Sequence, residues 1–85
     1  MIEVEVVRIL EGGSCPLGLK PGDMFQIDEK TPAGLCHWAY LVILPFATAL
    51  RIGGNIPWEE KGVCQVCCPD PKNPVVFKIR RVDTC

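Results

Sequence analysis

The sequence predicts an α+β domain: a small, mostly antiparallel sheet of about four strands with a kinked helix or helix pair packed on one face. Residues 31–54 form the longest apolar run of the chain. Short segments with alternating apolar residues lie before and after this run, and turn sequences rich in glycine and proline separate them. We expect the 85 residues to form one domain over 1–85.

The predicted helix covers residues 31–54. Thr31 followed by Pro32 supplies a hydroxyl N-cap and a proline at the first helical position, where its missing N–H costs nothing. Apolar side chains then recur at steps of three and four residues, which is the spacing of one helical face. Pro45 removes one backbone hydrogen bond, so we expect a kink or two short helices. A Gly-Gly pair ends the segment.

Strands are predicted on both sides of the helix, and a turn with the sequence GLKPGD leads into the second of them. In the first strand the inward-facing set shifts by one residue between Val6 and Val7, which predicts a bulge there or burial on both faces. The predicted strands cover residues 2–10, 24–27, 63–68 and 74–82.

Charges on the first and last strands suggest that these two strands are neighbours. Glu3 and Glu5 alternate with apolar residues on the first strand, and Lys78 and Arg80 do so on the last. If the strands pair, the acidic and basic side chains form favourable cross-strand pairs.

The net charge argues against nucleic acid and anionic membranes as partners. The net charge is −1 and the pI is about 5.7, so the chain has no electrostatic footprint for nucleic acid or for an anionic membrane surface. Thirteen uncharged residues separate His37 from Arg51, whereas a membrane span needs about 20. The acidic, alternating N-terminus is unlike a signal peptide. We therefore expect a cytoplasmic protein that binds neither nucleic acid nor membrane.

The apolar content is high for a short chain. Hydrophobic residues make up 48% of the sequence, which suggests a homo-oligomer or an apolar surface for a partner protein. Trp38 and Trp58 are expected to anchor the core or such an interface.

Cysteine is the most informative residue type in the chain. In a reducing cytoplasm, so many cysteines in a short chain favour metal ligation or redox chemistry over structural disulfides. The six are Cys15, Cys36, Cys64, Cys67, Cys68 and Cys85.

The segment Cys64-Gln-Val-Cys67 has two interpretations. In a tight turn, C-x-x-C directs both sulfurs at one centre, as zinc or an iron–sulfur cluster requires. In a strand, Cys64 and Cys68 share one face and Cys67 points to the other. One or two of these thiols, Cys67 in particular, then serve only as small packing residues.

Three further features bring cysteines from separate elements into a candidate site. Cys15 and Cys68 are loop residues followed by proline, an arrangement that occurs around iron–sulfur ligands. Cys36 lies near the positive end of the predicted helix, where the field favours the thiolate that ligation and nucleophilic chemistry need. The alternative is that Cys36 only begins the apolar stripe and packs.

The chain resembles a family of small, uncharacterised cysteine-containing proteins found mainly in anaerobic bacteria and archaea. The segments that carry this resemblance are Cys15 with GLKPGD, LCHWAY leading into LPFATALRIGG, the IPW that follows, and CPDPKNPVVFKIRR. The resemblance implies that Cys15, Cys36 and Cys68 are the recurring cysteines, whereas Cys64, Cys67 and Cys85 are additions. The resemblance implies no activity for this chain, because the family has no activity that could be carried over to it.

We therefore expect a small metal- or iron–sulfur-binding protein, an electron-transfer or metal-handling accessory rather than an independent enzyme. Its cofactor would be an iron–sulfur cluster or zinc. The expected ligands are Cys15, Cys36 and Cys68, with Cys64 or Cys67 completing the set.

Two alternatives remain open at the level of sequence. The protein could be a thiol–disulfide redox protein in which Cys36 attacks and Cys15 or Cys68 resolves. It could also be an oligomeric interaction module whose cysteines pack as small hydrophobes.

Overall fold

A computed structural model describes residues 2–10, 13, 18–27, 30 and 32–82. Within these residues the fold is a four-stranded antiparallel sheet with a single helix packed against it, which confirms the predicted α+β class. The strands lie in the order β2-β1-β4-β3, so the first and last strands are neighbours at the centre. The elements are β1 (Ile2–Ile9), β2 (Met24–Ile27), α1 (His37–Arg51), β3 (Val63–Cys67) and β4 (Val75–Arg81).

Strand β1 contains the irregularity that the sequence predicts. Val6 pairs with Phe77 on β4. The next pair in the register is Arg8 with Val76, so Val7 is the extra residue of a bulge. The bulge allows the inward-facing side chains of β1 to shift by one residue while β1 and β4 stay paired.

The predicted cross-strand charge pairs are also present. Glu3 lies opposite Arg80 and Glu5 opposite Lys78 in the antiparallel register of β1 and β4. The Arg80 guanidinium donates to the Glu3 carboxylate. Because the arginine is half-exposed, this pair contributes little to stability, and its main role is to favour one register.

Helix α1 begins later than the sequence predicts, so the prediction of Thr31 as its cap and Pro32 as its first residue is wrong. Thr31 lies outside the described residues, and Pro32 precedes a turn in which Gly34 has a φ of +85°. That left-handed conformation cannot be part of an α-helix. Cys36, with extended backbone angles, is the N-cap instead, and His37 is the first helical residue.

The end of α1 confirms the role of the two glycines. Gly53 has a φ of +95°, and its N–H donates to the carbonyl of Leu50 at 3.1 Å. The N–H of Gly54 donates to the carbonyl of Ala49 at 2.9 Å. These two bonds form a Schellman motif, which satisfies carbonyls that the helix end would otherwise leave unpaired.

Within the described residues α1 is one helix that runs through Pro45, so the prediction of a helix pair is wrong. Pro45 lies on the exposed side of the helix, where water can replace the donor that proline lacks. No helix in the described part of the chain combines the length and the hydropathy that a membrane crossing needs.

The hydrophobic core lies between α1 and one face of the sheet. Fully buried side chains of the two central strands form its floor, with Phe77 and Ile79 on β4 and Val4 on β1. The helix contributes small residues as well as large ones, so its backbone can approach the sheet closely. Its buried residues are Ala39, Ile43, Ala47 and Leu50.

Arg81 joins the end of the helix to the end of the sheet. Its Nη1 donates to the carbonyl of Leu50 at 2.8 Å and to that of Gly54 at 2.7 Å. Its Nη2 donates to Oδ1 of Asn55 at 3.0 Å, and the same oxygen accepts the N–H of Gly62 at 2.9 Å. A single guanidinium therefore fixes the C-terminus of α1 beside the last residue of β4.

Replacing Arg81 by methionine should destabilise the fold by about 2–3 kcal/mol, because carbonyls at the helix end and the Asn55 side chain lose a charged donor. Arg80→Met is the matched control. It removes the neighbouring arginine from the opposite face, where its exposed ion pair is worth less than about 1 kcal/mol. Urea unfolding of both variants measures the difference. Equal losses would contradict the role assigned to Arg81.

Candidate functional site

Cys64 is a core residue. It lies on β3 opposite Ile79, is 1% exposed, and its Sγ donates to the carbonyl of Gln65 at 3.6 Å. Burial, with the nearby Glu59 carboxylate acting in the same direction, raises the pKa of the Cys64 thiol to about 11. The thiol is therefore neutral at physiological pH.

Cys67 lies on the other face of β3 and is exposed. It is opposite Val76, which is in turn opposite Arg8 on β1. Burial raises the pKa of the Cys67 thiol, and the Arg8 guanidinium acts in the opposite direction. Because Cys64 and Cys67 point to opposite faces of a strand, the tight-turn interpretation of C-x-x-C is wrong and the strand interpretation is confirmed.

Cys36 is the N-cap of α1, and its sulfur replaces the oxygen that a serine or threonine would supply. The Sγ atom accepts the backbone N–H of Ala39 at 3.4 Å. Half-buried, the side chain also packs against the core. The sulfur thus lies at the N-terminal end of the helix, beside the backbone N–H groups of the first turn.

Cys68 follows directly after β3. Its N–H donates to the carbonyl of Val75 at 2.8 Å, so it continues the pairing with β4 by one residue. It is half-buried and packs against the core on the side that α1 covers. Cys68 therefore shares the inner face of the sheet with Cys64, as the strand interpretation predicts.

Cys36 lies at the end of α1 that is opposite to Arg81. Arg81 holds the C-terminus of the helix at the end of the sheet where β4 finishes. With 15 residues the helix is about 22 Å long. Just before the cap, Gly34 lies against the ring of Phe25 on β2: a Cβ added to the glycine would be 3.6 Å from Cε1. Strand β2 is one edge of the sheet, and β3, which Cys68 follows, is the other.

Cys15 and Cys85 lie outside the described residues, so the complete cysteine set is a prediction. Gly13, two residues before Cys15, lies against the connection from β3 to β4: a Cβ added there would be 3.1 Å from Cα of Asn73. In the same connection, Asp70 Oδ1 accepts the N–H of Lys72 at 2.9 Å. The described residues themselves contain no group of three or more His, Cys, Asp or Glu side chains that could hold a metal ion.

The sequence did not reveal that Cys36 caps the helix. The signal was the combination of a glycine able to adopt a positive φ, Gly34, with a small polar side chain two residues later. His37, the first helical residue, is exposed.

Comparison of the chain with protein-family models, with curated proteins and with solved structures finds no match. The resemblance to small cysteine-containing proteins of anaerobes stays a prediction.

The buried Cys64 thiol should make stability fall at alkaline pH. In the unfolded chain the thiol loses its proton near its ordinary pKa of about 8.5–9, whereas in the folded state it keeps the proton up to about 11. The unfolded state therefore releases the proton first, and the free energy of unfolding should drop by about 2 kcal/mol between pH 8 and pH 10.5.

Urea unfolding at a series of pH values measures this drop in the free energy of unfolding. Cys64→Val removes the thiol and should therefore remove the drop. Cys67→Val is the matched control and should keep most of the pH dependence, because its thiol is exposed on the other face. Parallel pH profiles for the wild type and Cys64→Val would contradict the assignment.

Proposed function

We propose that the protein is a small cytoplasmic metal- or iron–sulfur-binding protein whose ligands are the thiolates of Cys36, Cys68 and Cys15. The observation that carries this proposal is the position of Cys36 at the N-cap of α1, where its sulfur already accepts a backbone N–H. The first turn of a helix leaves backbone N–H groups without partners inside the helix, and these are available as donors to a sulfur that is bound to a metal.

The second support is that the fold gives the cysteines different burial and orientation. Cys36 and Cys68 are both half-buried and both pack against the core between α1 and the sheet. Cys64 is a buried neutral thiol, and Cys67 faces the opposite side. The proposed ligand set therefore leaves out Cys64, which lies in the core, and Cys67, which faces the other side of the sheet.

Cys15 is the third proposed ligand because Gly13, just before it, packs on the connection that Cys68 begins. Three thiolates leave the fourth position of a tetrahedral metal open for water, a small ligand or a donor from a partner. An open position suits metal handling or electron transfer better than a closed structural site. This would make the chain an accessory to another protein rather than an enzyme by itself.

The test is metal and sulfide content with the visible spectrum of protein purified without oxygen. We expect about one metal site per chain, and its loss in Cys36→Ser, Cys68→Ser and Cys15→Ser. Brown colour with iron and sulfide would identify a cluster, and zinc without colour would identify a mononuclear site. The Cys36→Ser variant is especially informative, because serine is itself a preferred N-cap and should preserve the helix while removing the sulfur.

Cys67→Ser is the matched control and should retain the metal, since its side chain points away from the proposed site. Metal-free wild-type protein that is fully folded would overturn the proposal. Retention of the metal in both Cys36→Ser and Cys68→Ser would do the same. A metal-free protein in which Cys36 is alkylated much faster than Cys67 would favour the thiol–disulfide alternative instead.

A further inference from the structure

We propose that α1 is the interface of a homodimer, in which the exposed side of the helix packs lengthwise against the same helix of a second copy. The helix carries no charged residue from position 38 to position 50. A helix that is apolar on all sides is normally buried on all sides. The sheet covers only one side of α1, where Ala39, Ile43, Ala47 and Leu50 are buried.

Several large apolar side chains of the helix lie on its uncovered side. Trp38 is 50% exposed, Leu41 is 65% exposed and Leu44 is 43% exposed. Ile52, which caps the end of the helix, is 79% exposed. A surface of this kind on a short chain is typical of an interface rather than of a solvated helix face.

The spacing of the exposed residues indicates what covers them. We call the outer seam the row of positions that follow one another at steps of three, four, three and four: Trp38, Leu41, Pro45, Thr48 and Ile52. This is the spacing of the a and d positions along which two helices pack lengthwise. The seam therefore matches another helix better than a strand or a loop.

A second copy of α1 meets the requirements of this seam. It has the same length, and it brings no like charges into contact because the seam is uncharged. The exposed apolar side chains supply roughly 500 Å² per copy, hence roughly 1,000 Å² for the pair, which is the size at which specific interfaces begin. A two-fold axis through the middle of the helices makes such a face complementary to itself.

Sedimentation of the full chain over a range of concentrations tests the proposal. The wild type should be a dimer at micromolar concentrations. Leu41→Lys puts a charge at the seam in both copies, uses a residue with good helix propensity, and should raise the dimer dissociation constant by about tenfold or more. Gln26→Lys is the matched control: it adds the same charge at an exposed position on β2 and should leave the dimer unchanged.

Two further measurements keep the proposal testable if Leu41→Lys disturbs the fold. Thr48→Leu replaces the polar residue of the seam and should tighten the dimer. In a Trp58→Phe background, the emission of Trp38 should shift to shorter wavelength as the dimer forms, because its half-exposed ring becomes buried. A chain that stays monomeric at several hundred micromolar, or a dimer that neither seam variant affects, would overturn the proposal.

Discussion

The pairing of β1 with β4 is the constraint on which the rest of the structure depends. It brings the first and last strands together at the centre of the sheet, and most of their inward side chains are fully buried. Strands β2 and β3 then add at the two edges, and α1 covers the inner face. Because Arg81 at the end of β4 also holds the end of α1, the register of this pair determines where the helix lies.

The pairing of β3 with β4 places the cysteines in different surroundings. The alternation of side chains along β3, fixed by its register with β4, places Cys64 in the core and Cys67 on the opposite face. Burial keeps the Cys64 thiol protonated, and Cys67 is exposed on the face away from the core. Cys36 and Cys68 lie at element ends, where each is half-buried and packs against the core.

Local patterns in the sequence were sufficient to predict the strands but not the residue at which the helix begins. Alternation predicted the bulge after Val6 and the pairing of Glu3 with Arg80, because both depend on period-two geometry. The helix start failed because Thr-Pro is a good cap by itself, whereas the turn at Gly34 and the packing of the first helical turn decide where the helix begins. The position of the helix end could not be predicted from local patterns either, because Arg81, far away in the sequence, holds it.

Both proposals involve α1, and the symmetry of the proposed dimer determines how its two sulfur sites are arranged. If the two-fold axis lies perpendicular to the helices, the copies run antiparallel and their N-caps are separated by about the 22 Å length of a helix of 15 residues. Each copy would then hold its own thiolate site. If the helices run parallel, the two Cys36 residues lie at the same end, and one site could draw ligands from both chains. The macrodipoles favour the antiparallel arrangement, since each positive N-terminus then lies beside the partner's negative C-terminus. A helix whose residues 38–50 carry no charge, and which packs on the core with one side and on a second copy with the other, is thus compatible with one independent sulfur site in each chain.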